Sequence, residues 1–269
     1  MSNISTLSYF SDDKFPVLHN IIDFLDSHDV HNKALVKSPQ LPCTIVGIYI
    51  LLVTWIGPAL MKSRKPYNLQ KVLIVYNFVQ AIANSYIAYN AIVGLYEFWD
   101  ARCLVKKSPK FPIILQRGIT HGWQLYLIKY ADLLDTIFFV LRKKQSQVSF
   151  LHVFHHAGMC LLFFWGLNSL HKTPGFYMGI CFGINTVIHV IMYSYYGLAA
   201  IGPHMQKYLW WKKHLTRLQI GQIFFIMGYI IVGHFTGCEE LGTLEAWGVF
   251  YGLITLMLFI NFYRKYKKD

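Results

Sequence analysis

Residues 150–170 read FLHVFHHAGMCLLFFWGLNSL. A helix crossing a bilayer needs about 20 mainly apolar residues, and this run supplies them. Its head carries His152, His155 and His156. Positions i, i+3 and i+4 of an α-helix share a face, so the three imidazoles crowd together. Ionisable groups at membrane depth are costly and rarely lack a role. The cluster points either to metal ligation or to acyl and proton chemistry.

Similar apolar runs recur along the chain. Of its 269 residues 55% are hydrophobic and 14% charged, against about 25% charged in average soluble domains. The runs 41–61, 70–96, 119–141, 149–170, 175–198, 214–236 and 243–263 predict seven transmembrane helices and an all-α polytopic membrane protein. The short alternating segments of a β-barrel are absent from the sequence. We divide the chain into an N-terminal segment 1–40, a transmembrane domain 41–263 and a basic tail 264–269. The first 40 residues lack the basic and apolar regions of a cleavable signal peptide. A net charge of +12 would suggest nucleic acid in a soluble protein. Here the basic residues cluster at helix ends, so membrane lipid is the expected partner and nucleic acid is not.

Basic residues also orient the chain. With the N-terminus lumenal, fifteen of the 25 Lys and Arg fall in cytosolic segments, nine in lumenal ones, and Lys129 inside a span. Cytosolic loops carry the excess of Lys and Arg, so the C-terminus is expected in the cytosol. Cys103 and Cys238 then both lie in lumenal loops. The lumen is oxidising, and a Cys103–Cys238 disulfide is expected. Asn3 opens a glycosylation sequon on the same side.

Polar residues inside the spans share a depth. The third carries Lys129, Asp132, Asp135 and Thr136; the fifth carries Asn185, His189, Met192, Tyr193 and Tyr196 on one face; the sixth carries Gln219 and Gln222. At about 1.5 Å of rise per residue, Asp135, the three clustered histidines, His189 and both glutamines lie roughly 5–13 Å from the cytosolic ends. Lys129 lies deeper, roughly 20 Å in, with Asp132 one turn away to neutralise it. One buried chamber accounts for this alignment. Singly, each feature has a structural reading: an ion pair, an interfacial tyrosine belt, or interhelical hydrogen bonds.

These residues resemble the very-long-chain fatty acid elongase family. Lys129-Tyr-Ala-Asp132-Leu-Leu-Asp135-Thr136 resembles its K-x-x-E-x-x-D-T motif, with Asp132 where the family has Glu. His152-Val-Phe-His155-His156 resembles H-x-x-H-H. His189-Val-Ile-Met192-Tyr193-Ser-Tyr195-Tyr196 resembles H-x-x-M-Y-x-Y-Y, and Thr216-Arg-Leu-Gln219-Ile-Gly-Gln222 resembles T-x-x-Q-x-x-Q. Further likenesses lie at Gly57-Pro58, Met61, Arg64-Lys-Pro66, Tyr76-Asn77 and the stretch Lys207–His214, so that the resemblance spans about residues 40–265.

The resemblance implies a 3-ketoacyl-CoA synthase of the endoplasmic reticulum. Such an enzyme condenses long-chain acyl-CoA with malonyl-CoA and releases CO2 and CoA. It implies no cofactor and no metal, separate ketoacyl reductase, dehydratase and enoyl reductase partners, and leaves homo-oligomerisation open. Imidazole is a competent nucleophile toward a thioester. We expect His155 as acyl acceptor, although the sequence does not separate it from His156. His189 would orient the thioester or share proton transfer, His152 and His156 would support the site, and Asp135 would fix a tautomer. Asn185, Gln219 or Tyr193 would stabilise the enolate or oxyanion.

Lys129, Asp132, Thr136, Met192, Tyr193, Tyr196, Gln219 and Gln222 are expected to bind substrate. Lys207, Lys212, Lys213 and Arg217 suit the phosphates of CoA, and equally satisfy the positive-inside rule. The lumenal half of the bundle would enclose the acyl chain in a tunnel of roughly 20 Å, room for about sixteen carbons. Lys265 and Lys267 resemble a K-x-K-x-x retrieval signal. Three alternatives fit the sequence less well: a di-iron desaturase, whose boxes use about twice as many histidines as converge here; a seven-helix receptor, whose D-R-Y and N-P-x-x-Y motifs are missing; and a channel or transporter, for which no inverted repeat is visible.

Overall fold

The computed structural model describes residues 29–103, 105–170, 176–238 and 242–266, without the side chains of Tyr177, Lys213 and Tyr266. Asn3, Lys267 and residues 1–28 lie outside the described residues. Seven long helices carry the fold: α1 (Gln40–Met61), α2 (Gln70–Glu97), α3 (Phe111–Leu141), α4 (Phe150–Ser169), α5 (Phe176–Ile201), α6 (Lys212–Phe235) and α7 (Thr243–Tyr266). No strand occurs among the described residues. All helices except α3 are long and apolar enough to cross a membrane, which makes this a multi-pass membrane protein. The exception runs for 31 residues with Lys129, Asp132 and Asp135 in its interior.

The helices close into a ring. α2 packs on α5, α5 on α6, α6 on α7, α7 on α4, α4 on α3, and α3 back on α2; α1 stands outside against α3 and α4. Small residues permit the closest approaches, since without side chains in the way helix backbones can come near. A Cβ on Gly183 of α5 would sit 3.2 Å from Cβ of Ala91 on α2, and one on Gly197 would sit 3.3 Å from the Phe78 ring. Gln70 Nε2 donates to the carbonyls of Ala200 and Ile201, both at 3.1 Å, and fastens the ends of the same pair. Within α1 a π-turn spans Leu52–Ile56. Gly57 follows it because a Cβ there would strike both the Leu52 carbonyl oxygen and Val140 of α3.

Helix α3 begins at Phe111, eight residues before the expected boundary at 119. Its first turns carry Gln116, Arg117, Thr120 and His121, which hide a helix from an apolar count. They are held at that end by ion pairs from Arg117 to Glu97 (2.6 Å) and from Lys110 to Asp100 (2.8 Å). Lys110 holds the Asp100 carboxyl below the usual carboxylate range by donating to it.

Cys103, between α2 and α3, is joined by a disulfide to Cys238, just past α6. The bridge closes a loop with a sequence separation of 135 residues. Long closed loops restrict the unfolded chain most, so Cys103→Ser is expected to cost about 2–4 kcal/mol. A lowered thermal midpoint in detergent, matched by mild reduction of the native protein, checks this.

Candidate active site

Four ring helices bring their polar residues to one level. α3 supplies Lys129 and Asp132, i and i+3 on one face, buried at 3% and 1% exposure. Lys129 Nζ lies 3.2 Å from Asp132 Oδ2 and donates to Asn185 Oδ1 of α5 at 3.2 Å. The other Asp132 oxygen accepts from Gln80 Nε2 of α2 at 2.7 Å and from the Tyr193 hydroxyl of α5 at 2.8 Å. His189 Nδ1 stands 3.8 Å from Asp132 Oδ2. Charged groups in a low-dielectric interior must be paired, and this carboxylate is held by Lys129, Gln80 and Tyr193. Asp132 thus reaches all three directly.

The histidines begin one turn into α4. Ser149 caps that helix: its side-chain oxygen accepts from the backbone N–H of His152 at 3.2 Å, which satisfies an otherwise unpaired N–H. The capped start sets the rings. Centroids of His152 and His156 are 4.2 Å apart, those of His155 and His156 5.7 Å. Among the described residues, His152 Nε2, His155 Nδ1 and His189 Nδ1 are buried ring nitrogens without a hydrogen-bond partner. Buried polar atoms are normally partnered; unpartnered ones in a polar centre leave capacity for a ligand. Among the described residues no group of three His, Cys, Asp or Glu side chains is arranged to hold a metal ion.

An apolar cavity of about 180 Å³ opens onto this centre. His155, Asn185 and Gln222 line one end, and Leu170, Leu244 and Glu245 the other. Of the four site histidines only His155 lines it. From His155 to Leu170 along α4 is roughly 22 Å. Asn185 gives its Oδ1 to Lys129, which leaves the amide NH2 as a donor on the cavity side.

Other expected site residues separate into groups. Gln219 Nε2 lies 3.6 Å from Met192 Sδ, and Thr136 shares a 2.7 Å hydrogen bond with Tyr49 of α1. Tyr196 is 42% exposed, its ring 6.5 Å from Tyr193. Among the described residues Asp135 does not hold a histidine: its Oδ2 lies 2.8 Å from the Tyr193 hydroxyl, whose single proton it shares with Asp132, and the carboxylate beside His189 is Asp132. The expectation that Asp135 fixes a histidine tautomer is thereby corrected. Asp135 projects toward α5 and α2, where Tyr193 and Tyr76 stand, rather than toward α4.

Farther out, Arg217 Nε donates to the Tyr263 hydroxyl at 2.8 Å, and Lys207 covers the Tyr208 ring. Lys212 is exposed, as is Lys265 at the end of α7. Arg217 and His214 line a groove between α5 and α6 that reaches Gln222.

Two contributors were not singled out as site residues from the sequence. Gln80 belongs to the spacing Asn77, Gln80, Asn84 (i, i+3, i+7), a buried polar face on α2 that marks it in retrospect. Tyr251 of α7 donates to the His155 carbonyl at 3.0 Å and lies against Gly158, where a Cβ would come within 2.6 Å of its ring. A single tyrosine in an apolar run carries no such signal.

The helices thus build a membrane-embedded polar centre with the His155 imidazole facing a long apolar cavity. The chain matches the ELO: GNS1/SUR4 family over residues 34–269, and it belongs to that family. It is 40% identical over 247 residues to very long chain fatty acid elongase 7 of Rattus norvegicus, covering 89% of this chain and 85% of the relative. Very long chain fatty acid elongase 4 of Homo sapiens is 38% identical over 240 residues (89% and 75%). Very long chain fatty acid elongase 1 of Mus musculus is 36% identical over 254 residues (93% and 89%).

Proposed function

We propose that this protein elongates fatty acids by condensing a long-chain acyl-CoA with malonyl-CoA to a 3-ketoacyl-CoA two carbons longer. The observation that carries the reading is His155, a buried imidazole at the polar end of an apolar cavity, with Asn185 beside it. In the first step a His155 nitrogen attacks the thioester carbonyl carbon. The carbon–sulfur bond breaks, and CoA leaves as the thiol with the imidazole proton. Malonyl-CoA then loses CO2, and the electrons of the broken carbon–carbon bond form an enolate. The enolate carbon attacks the acyl-imidazole; His155 leaves and regains a proton. The Asn185 amide and Gln222 stabilise developing negative charge at the carbonyl oxygen. His189 and His156 serve proton transfer and ring placement. Lys129 and Asp132 hold Asn185, Gln80 and Tyr193 in register.

In this reading the cavity takes the acyl chain, and Arg217, on the groove that reaches Gln222, meets the CoA phosphates together with Lys207 and Lys212. All seven long helices span the endoplasmic reticulum membrane, with the N-terminus lumenal and the C-terminus cytosolic. The chemistry needs no cofactor, and reduction and dehydration fall to separate partner enzymes. Incubation with acyl-CoA and carboxyl-labelled malonyl-CoA is expected to release labelled CO2 with equimolar 3-ketoacyl-CoA. Consumption of neither substrate by folded protein would reject the reading.

Tyr251 supplies a further prediction. Gly158→Ala must displace its ring and release the His155 carbonyl. Elongation is expected to fall roughly tenfold or more, since a 1 Å misplacement can cost about 10²-fold. Tyr251→Phe keeps the ring and loses one hydrogen bond, worth about 1 kcal/mol. Rates of the two variants, measured side by side, check the order.

A further inference from the structure

Beyond the cavity at His155 lies a second one, of about 110 Å³, between α2, α3 and the start of α5. The two share three wall residues: Leu170, Met178 and Phe182. Phe182 is fixed, its ring stacked on Phe163 at 5.0 Å. Met178 is different in kind. Its Cε lies over Gly166, 3.8 Å from where a Cβ would be. Methionine is unbranched and changes shape at little cost. Along α5, Met178 stands roughly 10 Å beyond Asn185, on the path of a chain whose head is at the polar centre.

The second cavity is built for hydrocarbon. Arg117, His121 and Asn90 reach it, but each has a partner: Arg117 is paired with Glu97, His121 Nδ1 lies 3.2 Å from Gln124 Oε1, and Asn90 Nδ2 donates to the Tyr86 carbonyl. The rest of its lining is chiefly apolar, with Ile87, Leu95, Phe98 and Ile114 among it. From the shared wall and this lining, we infer that the second cavity is an extension pocket: the methyl end of an acyl chain too long for the first cavity passes Met178 and lodges between α2 and α3. The inference rests on the acyl-CoA reading above. It makes Met178 and the size of the second cavity the determinants of the longest chain accepted.

Two glycines allow the pocket to be filled. Gly94 and Gly118 line it, and a Cβ on either meets no atom within 4 Å. Gly94→Leu and Gly118→Leu therefore start their new side chains in open space at the wall of the pocket. Each buried methylene is worth about 0.8 kcal/mol, so every two-carbon unit denied burial costs about tenfold in rate. With a graded series of saturated acyl-CoAs, both variants are expected to lose about that much on the longest chains the native protein accepts, with the shortest unchanged. Met178→Ala is expected to move the upper limit to longer chains.

A second measurement needs no turnover: a long acyl-CoA with a photoreactive diazirine at its methyl end should label residues 87–98 or 114–121. If the native protein elongates while all three variants keep its length profile and the label stays on α6 and α7, the extension pocket is refuted; a lipid chain resident in the cavity would give that outcome. If the native protein elongates no acyl-CoA, the condensation reading fails, and the photolabel still decides whether a bound chain enters the second cavity.

Discussion

His155→Ala lowers malonyl-CoA-dependent elongation by roughly 10³-fold or more, the scale on which loss of a nucleophile is felt. Of the four site histidines it alone lines the apolar cavity, so no neighbouring ring stands in the same place. His156 is buried behind it, 5.7 Å away between ring centroids, and His152 packs on His156. Removing His156 leaves an acyl acceptor and costs roughly 10²–10⁴-fold, the range of a group that moves protons or orients the nucleophile. Because an alanine at 155 also leaves a void, His155→Gln is the companion variant. It fills most of the space, cannot carry the acyl group, and is expected to be as inactive while eluting from a sizing column like the native protein.

Asp132→Asn has the largest expected effect on stability. The carboxylate is 1% exposed and meets Lys129, Gln80 and Tyr193 at 2.7–3.2 Å. Neutralising it leaves the Lys129 ammonium buried without its counter-charge, which costs about 3–5 kcal/mol. The mechanism is specific enough to be separated from general damage. Lys129→Met removes the stranded charge, so the double variant Lys129→Met/Asp132→Asn is expected to be more stable than Asp132→Asn alone. It remains inactive, because Asn185 and Tyr193 have lost what holds them. Thermal midpoints of the three proteins in one detergent check the order; a double variant no more stable than Asp132→Asn would contradict the ion-pair account.

Much of this arrangement was legible in the chain. Apolar runs locate the helices because a lipid-facing or core helix must be apolar for its whole length. Six of the seven begin within about two residues of the boundary read from the sequence. The exception, α3, starts with polar turns that pair outside the apolar region, where hydropathy has nothing to say. Helical rise is nearly constant, so depth along the spans sets Asp135, the α4 histidines, His189 and both glutamines at one level; in the structure Asp135 reaches the centre through Tyr193 and His189 lies 3.8 Å from Asp132.

Asp135 shares a face with Asp132 but lies one turn, about 4.5 Å, farther along α3, which sets it against Tyr193 and leaves Asp132 beside His189. Tyr251 carries no signal because a lone polar side chain in an apolar helix has the same signature whether it serves the site or a neighbouring backbone, whereas Gln80 is marked by its place in the buried polar face with Asn77 and Asn84. Which side chains line and divide the apolar space is not legible, because what is left unfilled depends on packing among six helices.

Incubation with long-chain acyl-CoA alone, followed by intact and peptide mass spectrometry, tests the central claim most directly. A protein that uses His155 as acyl acceptor gains the mass of one acyl group, mapped to the peptide holding residues 152–156, and releases one equivalent of free CoA before any malonyl-CoA is added. His155→Gln shows neither. Protein competent in elongation that shows no adduct and releases no CoA until malonyl-CoA is present would contradict it.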